Sequence, residues 1–182
     1  MVVGNALTSN MWFDAAGNLI KSLAAGAKLF AKTTYDGLGR STVAYVGYDL
    51  AETSYADAFS VSDDVILEQT EMFYDPASHV IQTTRRQRYH NAPDSQTGPL
   101  QNPTTTPKAR VTYGAAWQDA IGRTIATADY GTNGGSSFTR PDTIPARSDT
   151  VLVATVELDS TGAVLQAVDA MQIATGRLEA PA

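Results

Sequence analysis

An all-β fold of antiparallel hairpins is the class that this sequence predicts. Three observations point to it. An aspartate that has glycine or serine three positions later and a short β-prone run after it recurs five times. Runs of β-branched and aromatic residues flank these copies, and the best helical candidate, residues 20–31, is short and contains Gly26. An internal repeat determines the architecture before any single residue does, because each unit must bury its apolar face against its neighbours.

Each copy of the repeat is predicted to be a strand, a tight turn and a returning strand. The copies are WFDAAGNLI (12–20), TYDGLGRST (34–42), FYDPASHVI (73–81), WQDAIGRTI (117–125) and ELDSTGAVL (157–165). Aspartate at the first position of a type I turn caps it, and glycine at the fourth position accepts a positive φ without strain. The turn residues are therefore Asp14, Gly17, Asp36, Gly39, Asp75, Asp119, Gly122, Asp159 and Gly162. Ser78 replaces the glycine of the third copy and is expected to tolerate a positive φ poorly.

The strands themselves are predicted from the segments that flank these turns. The segments are rich in valine, isoleucine, threonine and tyrosine, the residues enriched in β-strands. They are residues 28–35, 42–48, 65–74, 80–89, 109–117, 124–130, 151–158 and 163–168.

The repeat resembles the YD repeats of RHS (rearrangement hot spot) proteins, whose pattern is roughly Tyr-Asp-x-x-Gly-Arg followed by a strand. Tyr35, Asp36, Gly39 and Arg40 match this pattern, and Asp119 with Arg123 matches it without the tyrosine. The resemblance runs from about residue 12 to residue 165. It implies hairpins stacked into an elongated, curved or spiralling sheet, and it adds Arg40 and Arg123 to the turn residues. In large members of that family the sheet is a hollow shell around a cargo domain.

Three segments interrupt the repeat and are predicted to be inserted loops. They are the acidic residues 49–64, the proline-rich residues 91–108, and residues 131–149, which carry glycines and prolines. Residues 1–149 are then expected to form the repeat scaffold with its loops. Residues 150–182 are expected to form a terminal hairpin and tail, and the apolar segment 150–168 is a candidate donor strand for a neighbouring molecule.

Composition excludes several classes of partner. The net charge of −6 and a pI near 4.7 make nucleic acid an unexpected partner, because phosphate binding needs a basic surface. The one basic cluster, Arg85, Arg86 and Arg88, is interpreted as a solvated strand face. No cysteine is present, so neither disulfides nor thiolate metal sites are available.

Localisation is predicted from composition and from the resemblance. The abundance of threonine, alanine, glycine and serine is typical of extracellular β scaffolds, and no signal peptide or run of about 18 apolar residues is visible. YD-repeat proteins are usually much larger, so the resemblance favours a fragment of a larger exported protein. We expect an extracellular or cell-surface location without membrane insertion.

Catalytic motifs are not found, and the protein is expected to be non-enzymatic and free of cofactors. No Gly-x-Ser-x-Gly elbow, zinc motif or phosphate-binding glycine loop occurs, and the two histidines, His79 and His90, are assigned structural or surface roles.

Two ligand hypotheses concern the inserted loops. Asp49, Glu52, Asp57, Asp63 and Asp64 offer the oxygen ligands that calcium prefers, but their spacing matches no known calcium loop, so a solvated acidic loop is the preferred interpretation. Thr104, Thr105 and Thr106 lie between two prolines and are candidates for O-linked glycan, with an unmodified loop as the alternative.

Two classes of function remain open at this point. The first is a structural module whose partners are copies of itself or further repeats of a larger chain, joined by strand addition into a fibre or a shell. The second is a carbohydrate-binding module or enzyme that uses the loops. Its candidate sugar platforms are Trp12, Trp117, Tyr130 and Phe138. Burial of these rings would favour the first class.

Overall fold

The computed structural model describes residues 7–49, 54–170 and 174–177, and its architecture is all-β. The described residues form eleven strands that follow one another in sequence order, each hydrogen-bonded to the next. The strands are β1 (Asn10–Phe13), β2 (Leu19–Leu23), β3 (Phe30–Tyr35), β4 (Ser41–Tyr48), β5 (Val65–Tyr74), β6 (Val80–Arg88), β7 (Ala109–Gln118), β8 (Thr124–Asp129), β9 (Leu152–Leu158), β10 (Val164–Val168) and β11 (Ala174–Arg177). The predicted class of antiparallel hairpins is confirmed.

The boundaries of the eight predicted strands coincide with the observed ones at most ends and differ by one or two residues at the others. Residues 20–31, the best helical candidate of the sequence, contain no helix, because this stretch holds β2 and the turn that leads into β3. The helix α1 (Tyr55–Phe59) lies instead in the acidic inserted segment, where Ser54 and Asp57 form a reciprocal capping box. A 3-10 turn at Asn133–Gly135 lies in the third inserted segment.

The chain divides into two compact units. Unit 1 contains the described residues up to Glu71 together with Arg85–Val111, and unit 2 contains Met72–Thr84 together with the described residues from Thr112 onward. Residues 150–168, the candidate donor segment, form the β9–β10 hairpin of unit 2, and β9 is paired with β8.

The core of unit 1 lies between strands β3 to β5 and the inserted segments. Its buried members are Phe30, Tyr45, Ile66, Leu100 and Ala109. Two of these are aligned across the sheet, since Phe30 pairs with Gly47 and Gly47 pairs with Ile66. Leu100 comes from the proline-rich insertion, so this insertion completes the core instead of extending into solvent.

The core of unit 2 is built on small residues and one large ring. Ala115 pairs with Ala128 and Ala128 with Val153, while Trp117 pairs with Ala126. Alanines on a sheet leave space above them, and the indole of Trp117 together with Phe138 from the third insertion fills it. The insertion is therefore part of this core as well.

The repeat turns at Asp14, Asp36, Asp119 and Asp159 offset the register of their hairpins by one residue. Four of the hairpins show a register shift next to the turn, for example between Thr34 and Tyr35 and between Trp117 and Gln118. A type I turn followed by a residue with positive φ gives this bulged hairpin geometry. The turn glycines supply that residue, with φ of 76° at Gly39 and 86° at Gly122.

No helix in the described part of the chain is long and apolar enough to cross a membrane.

The conformation of Gly39 gives a first testable prediction. Replacing Gly39 by alanine should lower the free energy of unfolding by about 1–3 kcal/mol, because a side chain at positive φ is strained. Gly37, in the same turn, has a φ outside the left-handed region and no neighbouring atom near its Cβ position. Gly37→Ala is thus the matched control and should have almost no effect in urea denaturation. Equal losses for both variants would contradict the turn assignment.

Candidate functional site

The turn aspartates are the residues that the repeat places most regularly. In the second turn, Asp36 Oδ1 accepts hydrogen bonds from the backbone N–H groups of Leu38 and Arg40 at 2.9 and 3.0 Å. The turn is closed by Gly39 N–H donating to the Asp36 carbonyl at 2.9 Å and by Asp36 N–H donating to the Arg40 carbonyl at 3.0 Å. The turns at Asp14, Asp75, Asp119 and Asp159 repeat this closure.

The residue after the turn glycine, here called the post-glycine residue, binds the second carboxylate oxygen in four turns. Its identity is Asn18, Arg40, His79, Arg123 or Ala163. The donors are the Asn18 amide at 2.9 Å, the Arg40 guanidinium at 2.7 Å and the Arg123 guanidinium at 2.6 Å, and His79 Nδ1 lies 2.9 Å from Asp75 Oδ2. In the fifth turn the Thr161 hydroxyl donates to Asp159 Oδ1 at 2.7 Å.

These hydrogen bonds stabilise the ionised carboxylates. The pKa values of Asp14, Asp36, Asp75 and Asp119 lie below the ordinary range, and the largest cause in each case is a hydrogen bond from the post-glycine residue. The pKa of Asp159 is lowered first by the Thr161 hydroxyl. A carboxylate lone pair that accepts such a hydrogen bond is not available to a ligand, so the turn aspartates stabilise the backbone of their own turns.

Ser78 adopts the conformation that was expected to be unfavourable. Its φ is 70°, and its N–H donates to the Asp75 carbonyl at 3.0 Å, as a turn glycine does. The third turn therefore closes without a glycine. The Asp75 carboxylate accepts the backbone N–H of His79 at 2.8 Å, which helps to hold Ser78 in this conformation.

Successive turns within each unit touch through the post-glycine residue. Asn18 Oδ1 lies 3.7 Å from the position that a Cβ on Gly39 would occupy. In unit 2, His79 Nε2 lies 2.5 Å from the corresponding position at Gly122, and Arg123 Nη1 lies 3.6 Å from that at Gly162. The missing Cβ of the glycine thus leaves room for the side chain of the preceding turn. Arg123 Nη1 also donates to the Asp159 carbonyl at 3.0 Å.

A buried ion pair holds the acidic insertion on unit 1. Lys32 Nζ lies 2.7 Å from Asp64 Oδ2, and the two side chains are 3% and 1% exposed. The same ammonium donates to the carbonyls of Asp57 and Ser60 at 2.8 and 2.6 Å. Three acceptors satisfy the ammonium, as a buried charge requires. Asp64 was expected in a solvated loop, and this expectation is wrong.

Lys32 belongs to a row of buried polar side chains across the sheet. Lys21 pairs with Lys32, Lys32 with Tyr45, and Tyr45 with Gln69, which accepts the Leu100 N–H at 2.8 Å. Burial and the neighbouring charge of Lys32 lower the pKa of Lys21, and burial raises the pKa of Asp64 against the opposing effect of Lys32. Lys21 Nζ lies over the rings of Trp12 and Phe30, at 4.7 and 5.0 Å from their centroids.

The calcium hypothesis finds no support in this part of unit 1. Asp57 caps α1 and Asp64 pairs with Lys32, so two of the candidate carboxylates are already used. Within residues 7–49, 54–170 and 174–177 no group of three or more acidic or histidine side chains is arranged to hold a metal ion. Glu52 lies outside the described residues.

The aromatic residues proposed as sugar platforms are largely engaged in packing. Trp117 is 4% exposed, donates from Nε1 to the Pro141 carbonyl at 3.2 Å, and carries the Arg140 guanidinium over its ring at 4.9 Å. Phe138 packs against Tyr130 and Tyr113, with centroids 4.4 and 5.3 Å away. Trp12 is half-buried beneath Lys21. This burial favours a packing role.

The remaining candidate residues lie on the surface. Thr104, Thr105 and Thr106 are all exposed, and the Asn102 side chain accepts the backbone N–H groups of Thr104 and Thr105 at 2.9 and 2.8 Å. His90 is exposed. Within the basic cluster, Arg85 pairs with Glu68 at the surface, and the half-buried Arg86 pairs with Glu71.

A hollow of about 550 Å³ lies beside the first two turns in unit 1. Its lining includes Asp14, Ile20, Asp36, Leu38 and Phe59. The two carboxylates in its lining are those that cap the turns. Its apolar wall includes Leu38, at the tip of the second turn, and Phe59 of α1.

Comparison of the sequence with protein-family models and with curated proteins gives no match. The resemblance to YD repeats therefore depends on the motif residues and on the physical argument from their turns.

The buried lysines are the residues that sequence reasoning missed. Lys32 lies two positions after Phe30 along β3, so strand periodicity alone places both residues on the same, buried face. That signal was available, but the acceptor for its charge comes from a segment 32 residues away. Only the folded chain shows that the pair forms.

The buried pair gives a second prediction. Lys32→Met should lower the free energy of unfolding by about 3–5 kcal/mol, because it leaves the Asp64 carboxylate buried without a partner. The double variant Lys32→Met with Asp64→Leu should recover part of this loss. The exposed pair of Arg85 and Glu68, with side chains 52% and 44% exposed, provides the control. Arg85→Ala should cost at most ~1 kcal/mol. A Lys32→Met variant as stable as Arg85→Ala would refute the buried pair.

The lowered pKa values of the turn aspartates give a third prediction. A carboxyl whose pKa is lower in the folded chain contributes stability above its unfolded pKa, near 3.8, and loses it as pH falls through the folded value. The free energy of unfolding should therefore decline below about pH 4. Asp36→Asn keeps a capping oxygen but cannot ionise, so its stability deficit at pH 7 should shrink as the pH falls to about 2. Urea denaturation across this range measures both, and a deficit independent of pH would contradict the assignment.

Proposed function

We propose that this protein is a non-catalytic structural module, a YD-repeat-like β scaffold that acts outside the cell or at its surface. It joins further repeats, or copies of itself, by adding strands to the open edges of its sheet. The order of strands carries the proposal, because β1 and β11 are the first and last strands of the described sheet and each has one hydrogen-bonded neighbour there.

The chemistry of an edge strand supports strand addition. Every second backbone N–H and C=O of such a strand points outward and attracts another strand. Native proteins usually protect such edges with charge or proline, whereas β1 consists of Asn10, Met11, Trp12 and Phe13. Met11 is 62% exposed and Phe13 is 50% exposed. An edge that is apolar and uncharged is suited to pairing.

The packing of the inserted segments supports a scaffold over an enzyme or a sugar-binding module. Each segment contributes to a core or to a buried ion pair, as Leu100, Phe138 and Asp64 illustrate. Residues used to cover the sheet are not available for a mobile binding loop. The exposed threonines at 104–106 remain proposed sites for O-linked glycan, which agrees with an extracellular location.

The proposal is tested by the state of association of the purified chain. Light scattering after size exclusion over a concentration series, with negative-stain microscopy, should show growth of assemblies by addition at the ends. Met11→Lys should weaken this association, because a lysine on an edge strand opposes strand addition. Leu38→Lys is the matched control, since Leu38 is 74% exposed but lies at a turn tip. A monodisperse monomer at every concentration, or equal effects of both substitutions, would refute self-assembly through β1.

A further inference from the structure

The contact between successive turns is the observation from which a more specific partner can be derived. Within each unit, the post-glycine side chain of one turn lies against the glycine of the next turn. The pairs are Asn18 with Gly39, His79 with Gly122, and Arg123 with Gly162. The strands follow the same order, since the returning strand of one hairpin pairs with the entering strand of the next, as β2 with β3 and β8 with β9. Two features, strand pairing and the turn contact, therefore define how one repeat meets the next.

The first turn offers both features without an occupant among the described residues. β1 is the entering strand of its hairpin, and β2 is its one partner in the described sheet. Gly17 has φ of 87°, is exposed, and has no atom within 4 Å of its Cβ position. The Asp14 carbonyl accepts the Gly17 N–H at 3.0 Å and retains a second lone pair, as the Asp159 carbonyl does where it accepts both Gly162 and Arg123.

The side chain that would fill this position is defined by the other turns. Asparagine, histidine or arginine follows the glycine or serine in the turns at Asp14, Asp36, Asp75 and Asp119. The last turn has Ala163, whose methyl group can neither reach across to a neighbouring glycine nor donate a hydrogen bond. A partner hairpin that carries alanine at this place, as the turn at Asp159 does, therefore lacks the group that this position accepts.

We propose that the outer edge of β1 and the open turn at Gly17 together bind the returning strand of a repeat hairpin from another protein chain, one that carries arginine, histidine or asparagine after its turn glycine. The incoming side chain lies against Gly17 and donates to the Asp14 carbonyl. This inference rests on the proposed function, because it names the partner that the open edge accepts.

The probe for this interaction is a hairpin peptide with the sequence of residues 115–127, which includes the turn at Asp119 and Arg123. An isolated two-stranded hairpin is marginally stable, so terminal cysteines close the peptide with a disulfide. The full chain contains no cysteine and cannot exchange with this bond. A second peptide differs only by Arg123→Ala. Fluorescence anisotropy of the labelled peptides, titrated with the full chain, gives both dissociation constants.

The variant Gly17→Asn fills the proposed position and keeps the turn, because asparagine tolerates positive φ better than other side chains. Gly134→Asn is the matched control. Gly134 has φ of 61° and no atom within 4 Å of its Cβ position, but it lies in the third inserted segment. Thermal unfolding of both variants verifies that each remains folded.

We expect the arginine peptide to bind the wild-type chain and Gly134→Asn equally, and to bind Gly17→Asn about tenfold more weakly. The alanine peptide should bind the wild-type chain about tenfold more weakly, as expected for the loss of one charge-assisted hydrogen bond. If both peptides bind with the same affinity, or if Gly17→Asn binds like wild type, the turn contact is refuted while strand addition stands. If neither peptide binds, strand addition at β1 is refuted as well.

Discussion

The turn aspartate is the residue on which the rest of the architecture depends. Its side chain accepts backbone N–H groups two and four positions further along the chain, and its own carbonyl accepts the N–H of the glycine or serine that follows. One carboxylate thus specifies where a strand ends, the shape of the bend and where the next strand begins. Because the turn inserts a bulge, it also fixes which residues of the two strands face each other. Repetition of this local device produces a sheet whose strands follow sequence order.

The same turn couples one repeat to the next. A glycine at positive φ is needed to close the bend, and its bare Cα leaves space for the post-glycine side chain of the preceding turn. Ser78 shows that the conformation itself can be held without glycine when the carboxylate network is complete. Gly39, Gly122 and Gly162 therefore serve two purposes, the conformation of their own turn and the close approach of a neighbour. In this way the turns form a regular line of polar contacts within each unit.

The inserted segments cover the apolar face of the sheet. A sheet with one row of buried residues needs a second layer, and here irregular segments provide it. In unit 1 the Lys32 ammonium binds the carbonyls of Asp57 and Ser60 and the Asp64 carboxylate, so its charge positions the acidic insertion on the sheet. Unit 2 uses the indole of Trp117 and Arg140, which stacks on it and donates to the Ala116 carbonyl at 2.9 Å. In both units a cationic side chain is matched to specific acceptors, which favours one arrangement of the loop over others.

The sequence by itself determined the elements that arise from local chemistry. The aspartate and glycine spacing located the five turns, and β-branched runs located eight of the strands, because both features depend on neighbouring residues. The segment 20–31 remained open from its sequence, because an apolar run that short does not distinguish helix from strand, and the structure shows strands there. Only the tertiary structure decided where the insertions pack, that Lys32 meets Asp64, and that Asn18, His79 and Arg123 lie against the next turn glycine. These contacts join residues far apart in the chain, no local pattern encodes such a distance, and it is the pairing of the strands that brings the residues together.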